Sequence, residues 1–306
     1  MALSEARLPA KARRPADALR LVTLTSEGID AGLALSDAAG WNQTADDWAI
    51  FIRNGQAVGF RDAADRLVAT AAALPYGASA GWISMVLVAD AWRHRGLASA
   101  LMAACVERLR AANVVAVLDA TPAGAAVYAR IGFAAGFEID RWEWKAASAP
   151  VDAALGAMAP SALAVRPVDT SALDAIAALD RASNGLDRRF LLDSFLSRAG
   201  TRAWLSRSGR GFVVSREGRR ATQIGPLVAE SESEAIDLLA AAFASARTAI
   251  GRDVFLDLPR GRPALQDWLE SQGFMRQRPF VRMSLGAAEP PTLGQTCFVL
   301  AGPEFG

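Results

Sequence analysis

The chain has 306 residues, enough for two domains that each bury a core. Its 33 basic and 32 acidic residues leave a net charge of +1, which argues against a general nucleic-acid or membrane surface. A single histidine, His94, and two cysteines in different halves, Cys105 and Cys297, argue against a Ser/His/Asp triad, a multi-histidine metal site, a zinc site and a disulfide framework.

The cations are almost all arginine, with Lys11 and Lys145 the only lysines, and alanine is abundant. That usage points to a GC-rich bacterial genome, and the isolated thiols to a reducing cytoplasm. No apolar run is long enough to span a bilayer. Residues 1–18 are rich in Arg, Ala and Pro, lack an apolar signal core, and read as a disordered lead-in, with a targeting segment as the second reading.

Leu19–Leu24 alternates and reads as a first strand. Ser26 is expected to cap a helix running to about Ala39, which Gly40-Trp41-Asn42-Gln43-Thr44 breaks. Thr44 caps a second, short helix with Asp46 and Asp47 in its first turn and Trp48, Phe51 and Ile52 on its apolar side. Gln56–Arg61 and Arg66–Leu74 read as an antiparallel pair. Trp82, Ile83, Met85, Val86, Leu87 and Val88 then form an almost unbroken apolar run, which predicts a strand buried on both faces. After the polar turn Ala89–Arg95, apolar residues recur at helical spacing: Leu97, Leu101, Ala104, Cys105 and Leu109.

The junction between that strand and that helix is chemically distinctive. It reads Arg93-His94-Arg95-Gly96-Leu97-Ala98-Ser99. A helix N-terminus carries unpaired N–H groups and the positive end of a dipole, so it attracts phosphate. Gly96 and the small Ala98 let a ligand approach the backbone. Arg93 and Arg95 add charge suited to a diphosphate. His94 reads as a solvent-facing bystander in a loop whose backbone does the binding.

Val114–Asp119 is the next buried strand. Thr121 is an N-cap with Pro122 in the first turn, a helix covers Ala123–Ile131, Gly132-Phe133 ends it, and Phe137–Trp144 is a strand. Arg-x-x-Gly-x-Ala between a strand and a helix resembles the pyrophosphate loop of the GCN5-related N-acetyltransferase (GNAT) family. Tyr128-Ala129-Arg130-Ile131-Gly132-Phe133 resembles that family's Tyr-x-x-x-Gly-Phe segment. One departure is visible: Thr121 stands where many members have asparagine, seven residues before the tyrosine.

Lys145–Ala162 is Ala/Ser/Pro-rich and reads as a linker, after which the pattern restarts. Strands are expected at Leu163–Val168, Ala203–Ser206, Gly211–Arg216, Gln223–Val228, Val254–Leu258 and Val281–Leu285. Helices are expected at Ser171–Asp180, Arg188–Arg198, Ser233–Ile250 and Pro263–Gln272. Pro122–Phe133 aligns on Pro263–Phe274 without a gap, with Tyr128 on Leu269. The segment after Val228 carries Glu230, Glu232 and Glu234, which would repel a diphosphate. The tail Thr296–Gly306 reads as a strand and a compact turn that can pack into the second domain's sheet, with Glu304 reaching toward a cleft.

The expected fold class is therefore α/β (α+β): two tandem GNAT-like domains, each a mixed, mostly antiparallel sheet flanked by helices. The expected division is a lead-in 1–18, a catalytic domain 19–145, a linker 146–162 and a degenerate copy 163–306. The resemblance implies acetyl-coenzyme A as co-substrate and no metal. Val86 and Val88 would pair with its pantetheine arm, while the loop from Arg93 through His94, Arg95, Gly96, Leu97 and Ala98 to Ser99, with Thr121, would contact the cofactor. A strand amide near Met85 would stabilise the oxyanion, and Tyr128 would protonate the departing thiolate. Asp46, Asp47, Asp119 and Glu138 are candidate bases, with Asp119 set beside Tyr128 as a catalytic residue. Trp41, Asn42, Asp46 and Trp48 would wall the acceptor site. The reading is an N-acetyltransferase acting directly on the amine of a small molecule or amino acid, with no nucleic-acid or membrane partner and no readable oligomeric state. Its alternatives are a non-catalytic acyl-coenzyme A sensor and an acyltransferase acting on a protein amine. A further alternative, the tandem aminoacyl-tRNA-dependent transferases, is disfavoured by the intact loop.

Overall fold

The computed structural model describes residues 19–148, 164–248, 251–287 and 294–306. The expected lead-in 1–18 and most of the 146–162 linker lie outside the described residues. The chain forms two compact units. One takes the described residues up to Pro75 together with Ile83–Asn113, and the other takes Tyr76–Trp82 together with residues from Val114 onward.

The first unit opens with β1 (Arg20–Thr23) and continues through α1 (Ile29–Ala38), α2 (Ala45–Asn54), β2 (Gln56–Arg61), β3 (Leu67–Tyr76) and β4 (Ala80–Val88) to α3 (Leu97–Ala111). Its strands lie in the order β1-β2-β3-β4, with β1 antiparallel to β2 and β2 antiparallel to β3. The expected Ser26 cap does not form. Ser26–Gly28 makes a 3-10 turn, and α1 starts after Gly28 without a side-chain cap. The Thr44 cap does form, as a capping box: Asp47 N–H donates to Thr44 Oγ1, and Thr44 N–H donates to Asp47 Oδ2 at 2.8 Å.

Trp48 is fully buried, and its Nε1 donates to Ser36 Oγ at 3.2 Å. A Cβ on Gly32 would lie 2.8 Å from the Trp48 ring, so the glycine lets α1 close on α2. The expectation that β4 is buried on both faces needs correction. Ile83, Met85 and Leu87 are buried, but Ser84, Val86 and Val88 are only half-buried, so one face is less covered. Met85 has φ 55, a left-handed conformation rare for a side chain of its size, and its carbonyl accepts from Thr70 Oγ1 at 2.9 Å.

The second unit continues with β5 (Val115–Ala120), α4 (Pro122–Arg130), β6 (Ala134–Trp144), β7 (Val165–Val168), α5 (Leu173–Asn184), α6 (Arg189–Leu196), β8 (Arg202–Ser206), β9 (Phe212–Glu217) and β10 (Ala221–Val228). It ends with α7 (Glu232–Arg247), β11 (Asp253–Pro259), α8 (Pro263–Ser271), β12 (Met275–Leu285) and β13 (Cys297–Val299). Its sheet runs β5-β12-β6-β11-β10-β9-β8-β7, with β13 also on β10. The first residues of β4, Ala80–Trp82, pair in parallel with Val115–Val117. β10 pairs in parallel with β11 over Ala221–Ile224 and Asp253–Leu256, and the other ladders of this unit are antiparallel.

The two sequence repeats are interleaved in this sheet. β12, from the second repeat, lies between β5 and β6, and β6 pairs on its other side with β11. Helices α7 and α8 bury Leu238, Leu239, Phe243, Leu265 and Leu269 against Trp144, Leu256 and Phe274. Apolar area of this kind is the main favourable contribution to folding.

Candidate active site

The loop before α3 has the geometry its sequence implied. Gly96 is the N-cap of α3 at φ 81 and ψ 4, makes no side-chain cap, and has open space where a Cβ would stand. The glycine is there for its left-handed backbone, not for lack of room. Without a capping side chain, the first amides of this helix remain for a ligand. Leu97 is buried and anchors the first turn, Ala98 is half-buried and Ser99 is exposed. Arg93 pairs with Asp90 at 2.8 Å, and Arg95 lies 4.7 Å from the Trp92 ring centroid. His94 is exposed and adopts φ 61, so two left-handed residues, His94 and Gly96, shape the loop.

The N-terminus of α7 is the counterpart in the second repeat, and it is built differently. Ser231 caps it and accepts from Glu234 N–H. The Glu234 carboxylate accepts from Glu230 N–H at 2.7 Å, and the Glu232 carboxylate accepts from Leu265 N–H at 3.0 Å. This helix start therefore carries its own anions, where α3 carries none.

The Tyr128 segment is well formed. Thr121 caps α4 by accepting from Gly124 N–H at 3.3 Å. Tyr128 is half-buried against Phe133, and burial raises its pKa above the usual tyrosine value of 10.0. The repeat alignment holds in detail. α4 and α8 each have nine residues, Gly132 and Gly273 both take left-handed backbone, and Phe133 and Phe274 are both buried. Phe133 N–H donates to the Tyr128 carbonyl at 3.1 Å, and Phe274 N–H donates to the Leu269 carbonyl at 3.0 Å. Leu269 itself is fully buried.

Asp119 is not a free base. Its side chain is fully buried, and both oxygens accept from Arg282, Nε at 2.8 Å and Nη2 at 2.8 Å. Burial pushes its pKa upward, and Arg282 pulls it back. The Arg282 guanidinium also lies 4.4 Å from the Trp82 ring centroid and 4.9 Å from that of Phe137. Among the other candidate bases, Asp47 is spent on the α2 capping box, Glu138 pairs with Arg260, and Asp46 is exposed. Of the expected acceptor wall, Trp41 is half-buried and Asn42 is buried, whereas Trp48 belongs to the helix core.

Two family profiles match the chain: one described as "Acetyltransferase (GNAT) family" over residues 33–133 and one described as "Acetyltransferase (GNAT) domain" over residues 176–299. Together they span well over half of the sequence. The chain belongs to the GNAT family, with two such domains in tandem. Solved structures with the same fold include a Pyrococcus horikoshii protein proposed to be an acetyltransferase, at TM-score 0.76 and 18% identity, covering 99% of this chain and 100% of that one. A tandem GNAT protein from the clavulanic acid biosynthesis pathway matches at TM-score 0.64 and 17% identity, over 89% of this chain and 100% of that one. Saccharomyces cerevisiae N-myristoyltransferase matches at TM-score 0.66 and 11% identity, over 94% of this chain and 84% of that one. No curated protein matches by sequence.

The GNAT fold supports acyl-coenzyme A-dependent acetyl transfer in general. No helix among the described residues is long and apolar enough to cross a membrane. Sequence reasoning missed several polar groups of this GNAT chain. Ser84 Oγ and Gln43 Oε1 are buried without a hydrogen-bond partner among the described residues. The kink at Met85 was equally hidden, because the left-handed position is filled by a methionine, while the strand's one glycine, Gly81, does not take that conformation.

Proposed function

We propose that this GNAT protein transfers an acetyl group from acetyl-coenzyme A directly to the amine of a small molecule or amino acid. The observation that carries the reading is the N-terminus of α3, a left-handed glycine cap whose first-turn amides have no side-chain cap, preceded by Arg93 and Arg95. The backbone from Arg93 to Ser99 binds the diphosphate, and Val86 and Val88 on the less covered face of β4 hold the pantetheine arm. Acetyl-coenzyme A supplies the activated thioester. A β4 amide beside the Met85 kink stabilises the oxyanion, since a fixed donor aimed at developing charge needs no reorganisation. Tyr128 holds its proton at neutral pH and donates it to the leaving sulfur. Trp41, Asn42 and Asp46 contribute to the acceptor side. Asp119 is left out of this scheme because both of its oxygens are engaged.

A second cofactor site is disfavoured by the tail. β13 pairs with β10 at Leu227 and Val228, Ala229 N–H donates to the Thr296 carbonyl, and Leu300 N–H donates to the Asp257 carbonyl of β11. The tail thus takes the main-chain positions beside β10, just past the residues where β10 and β11 pair. With the acidic α7 start, this makes the second repeat a scaffold. The reading is tested by following coenzyme A thiol release with acetyl-coenzyme A and a panel of small amines and amino acids. Turnover on none of them, with intact acetyl-coenzyme A binding, would favour a non-catalytic binder.

A further inference from the structure

Met85 holds left-handed backbone, φ 55, in the middle of β4. A side chain of its size rarely takes that conformation, which persists only where the surroundings enforce it. Here the Met85 side chain is buried, and its carbonyl accepts from Thr70 Oγ1 of β3 at 2.9 Å. Thr70 is fully buried, so this bond is shielded from water and correspondingly strong. A peptide unit is planar and trans, with its C=O and its N–H pointing in opposite directions. The Met85 carbonyl and the Val86 N–H belong to one such unit. Fixing the carbonyl on Thr70 therefore aims the Val86 N–H away from β3, and Val86 stands on the less covered face of β4.

The second repeat carries the same device with a different side chain. Met85 lies three residues before Val88, the last residue of β4, and Gly225 lies three before Val228, the last residue of β10. Gly225 also has positive φ, 135, and the β9–β10 register shifts beside it, between Ile224 and Leu227. Its carbonyl accepts from Arg216 Nη1 of β9 at 3.1 Å. β9 neighbours β10 as β3 neighbours β4. In each repeat, then, a buried side chain on the preceding strand takes the carbonyl at the kink. A Thr70 that only satisfied its own hydroxyl would need no such counterpart. The surroundings differ. At Gly225 a Cβ would run into the Leu300 carbonyl, and Arg216 Nη2 also donates to the Ala301 carbonyl at 2.7 Å, so that kink is locked to the tail.

We propose that Thr70 is a positioning residue for acetyl transfer: by holding the Met85 carbonyl it aims the Val86 amide at the thioester oxygen, where negative charge develops. A donor fixed in advance costs no reorganisation when that charge appears. The use of the amide rests on the acetyltransferase reading above; the aiming by Thr70 does not. Thr70→Val keeps the side-chain shape and removes the hydroxyl, Thr70→Ala removes it without setting a methyl against the carbonyl, and Thr70→Ser keeps it. The direction of the Val86 N–H is read in the full chain from residual dipolar couplings by NMR. It should change in Thr70→Val and Thr70→Ala and stay as in wild type in Thr70→Ser. In turnover, Thr70→Val and Thr70→Ala should lower kcat about tenfold or more, leave the acetyl-coenzyme A Kd within about twofold of wild type, and Thr70→Ser should restore most of kcat. A merely structural Thr70 would lower the melting temperature and leave the kcat of the folded variants intact, and that result would overturn the proposal. So would an unchanged Val86 direction in the two variants without the hydroxyl, or a Thr70→Ser loss as large as theirs. A Val86 N–H that turns when the hydroxyl is removed, in a chain that transfers acetyl to no amine, would keep the aiming role and remove the acetyltransferase reading.

Discussion

Arg282 of β12 and Asp119 of β5 hold each other through two hydrogen bonds of 2.8 Å, across 163 residues of chain. The two strands come from different repeats, so this pair fastens the interleaved sheet. Removing one partner leaves the other charge buried, so Asp119→Ala should destabilise the protein by about 3–5 kcal/mol. Replacing both, as Asp119→Leu with Arg282→Met, should cost less than the single change. Urea unfolding of the three proteins reads both effects. An Asp119→Ala protein of wild-type stability with no turnover would instead make Asp119 a catalytic base.

Tyr128→Phe should lower kcat by about 100-fold or more while changing acetyl-coenzyme A affinity little, since only the proton donor is removed. Burial raises the Tyr128 pKa above 10.0. A group that must be protonated to work is lost only as pH rises through its pKa. The alkaline limb of kcat that belongs to Tyr128 should therefore lie above the ordinary tyrosine value, and an alkaline limb near neutrality that Tyr128→Phe removes would contradict the role.

How far the sequence could be read follows from how local each signal is. The Gly96 loop and the Tyr128 segment were legible because a helix start and a helix end are set by adjacent residues. The repeat was legible because Pro122–Phe133 and Pro263–Phe274 share those same end signals. The interleaving of β6 and β12 was not, since each strand has an apolar pattern that fits either neighbour. Asp119 looked like a free carboxylate because its partner lies in the other repeat. Trp48 looked like a pocket wall because helical spacing gives a face but not what covers it; Gly32 and Ser36 cover it.

Both thiols should be inert in the folded protein. Burial pushes Cys105 up to about 12 and Cys297 up to about 11, and the reactive form is the thiolate. A thiol-reactive chromophore should label neither cysteine at neutral pH and both after denaturation. Rapid native labelling of Cys297 would mean that the β13 segment opens readily.

The tail should contribute strongly to stability. Phe305 is fully buried, lies 5.4 Å from Phe195 between ring centroids, and its carbonyl accepts from Tyr76 Oη at 2.8 Å. Phe305→Ala should cost about 3–5 kcal/mol. Thermal unfolding of the variant checks this, and an unchanged melting temperature would show that the tail is dispensable to the second unit.

The chain is expected to hold a single acetyl-coenzyme A site, at the N-terminus of α3. Calorimetric titration of wild type and Gly96→Glu tests it most directly. The substitution places a carboxylate where phosphate is expected and forces a side chain onto φ 81 backbone. One-to-one binding is expected in wild type and its loss in the variant, with the circular dichroism spectrum unchanged. Two sites per chain, or undiminished binding by Gly96→Glu, would contradict it.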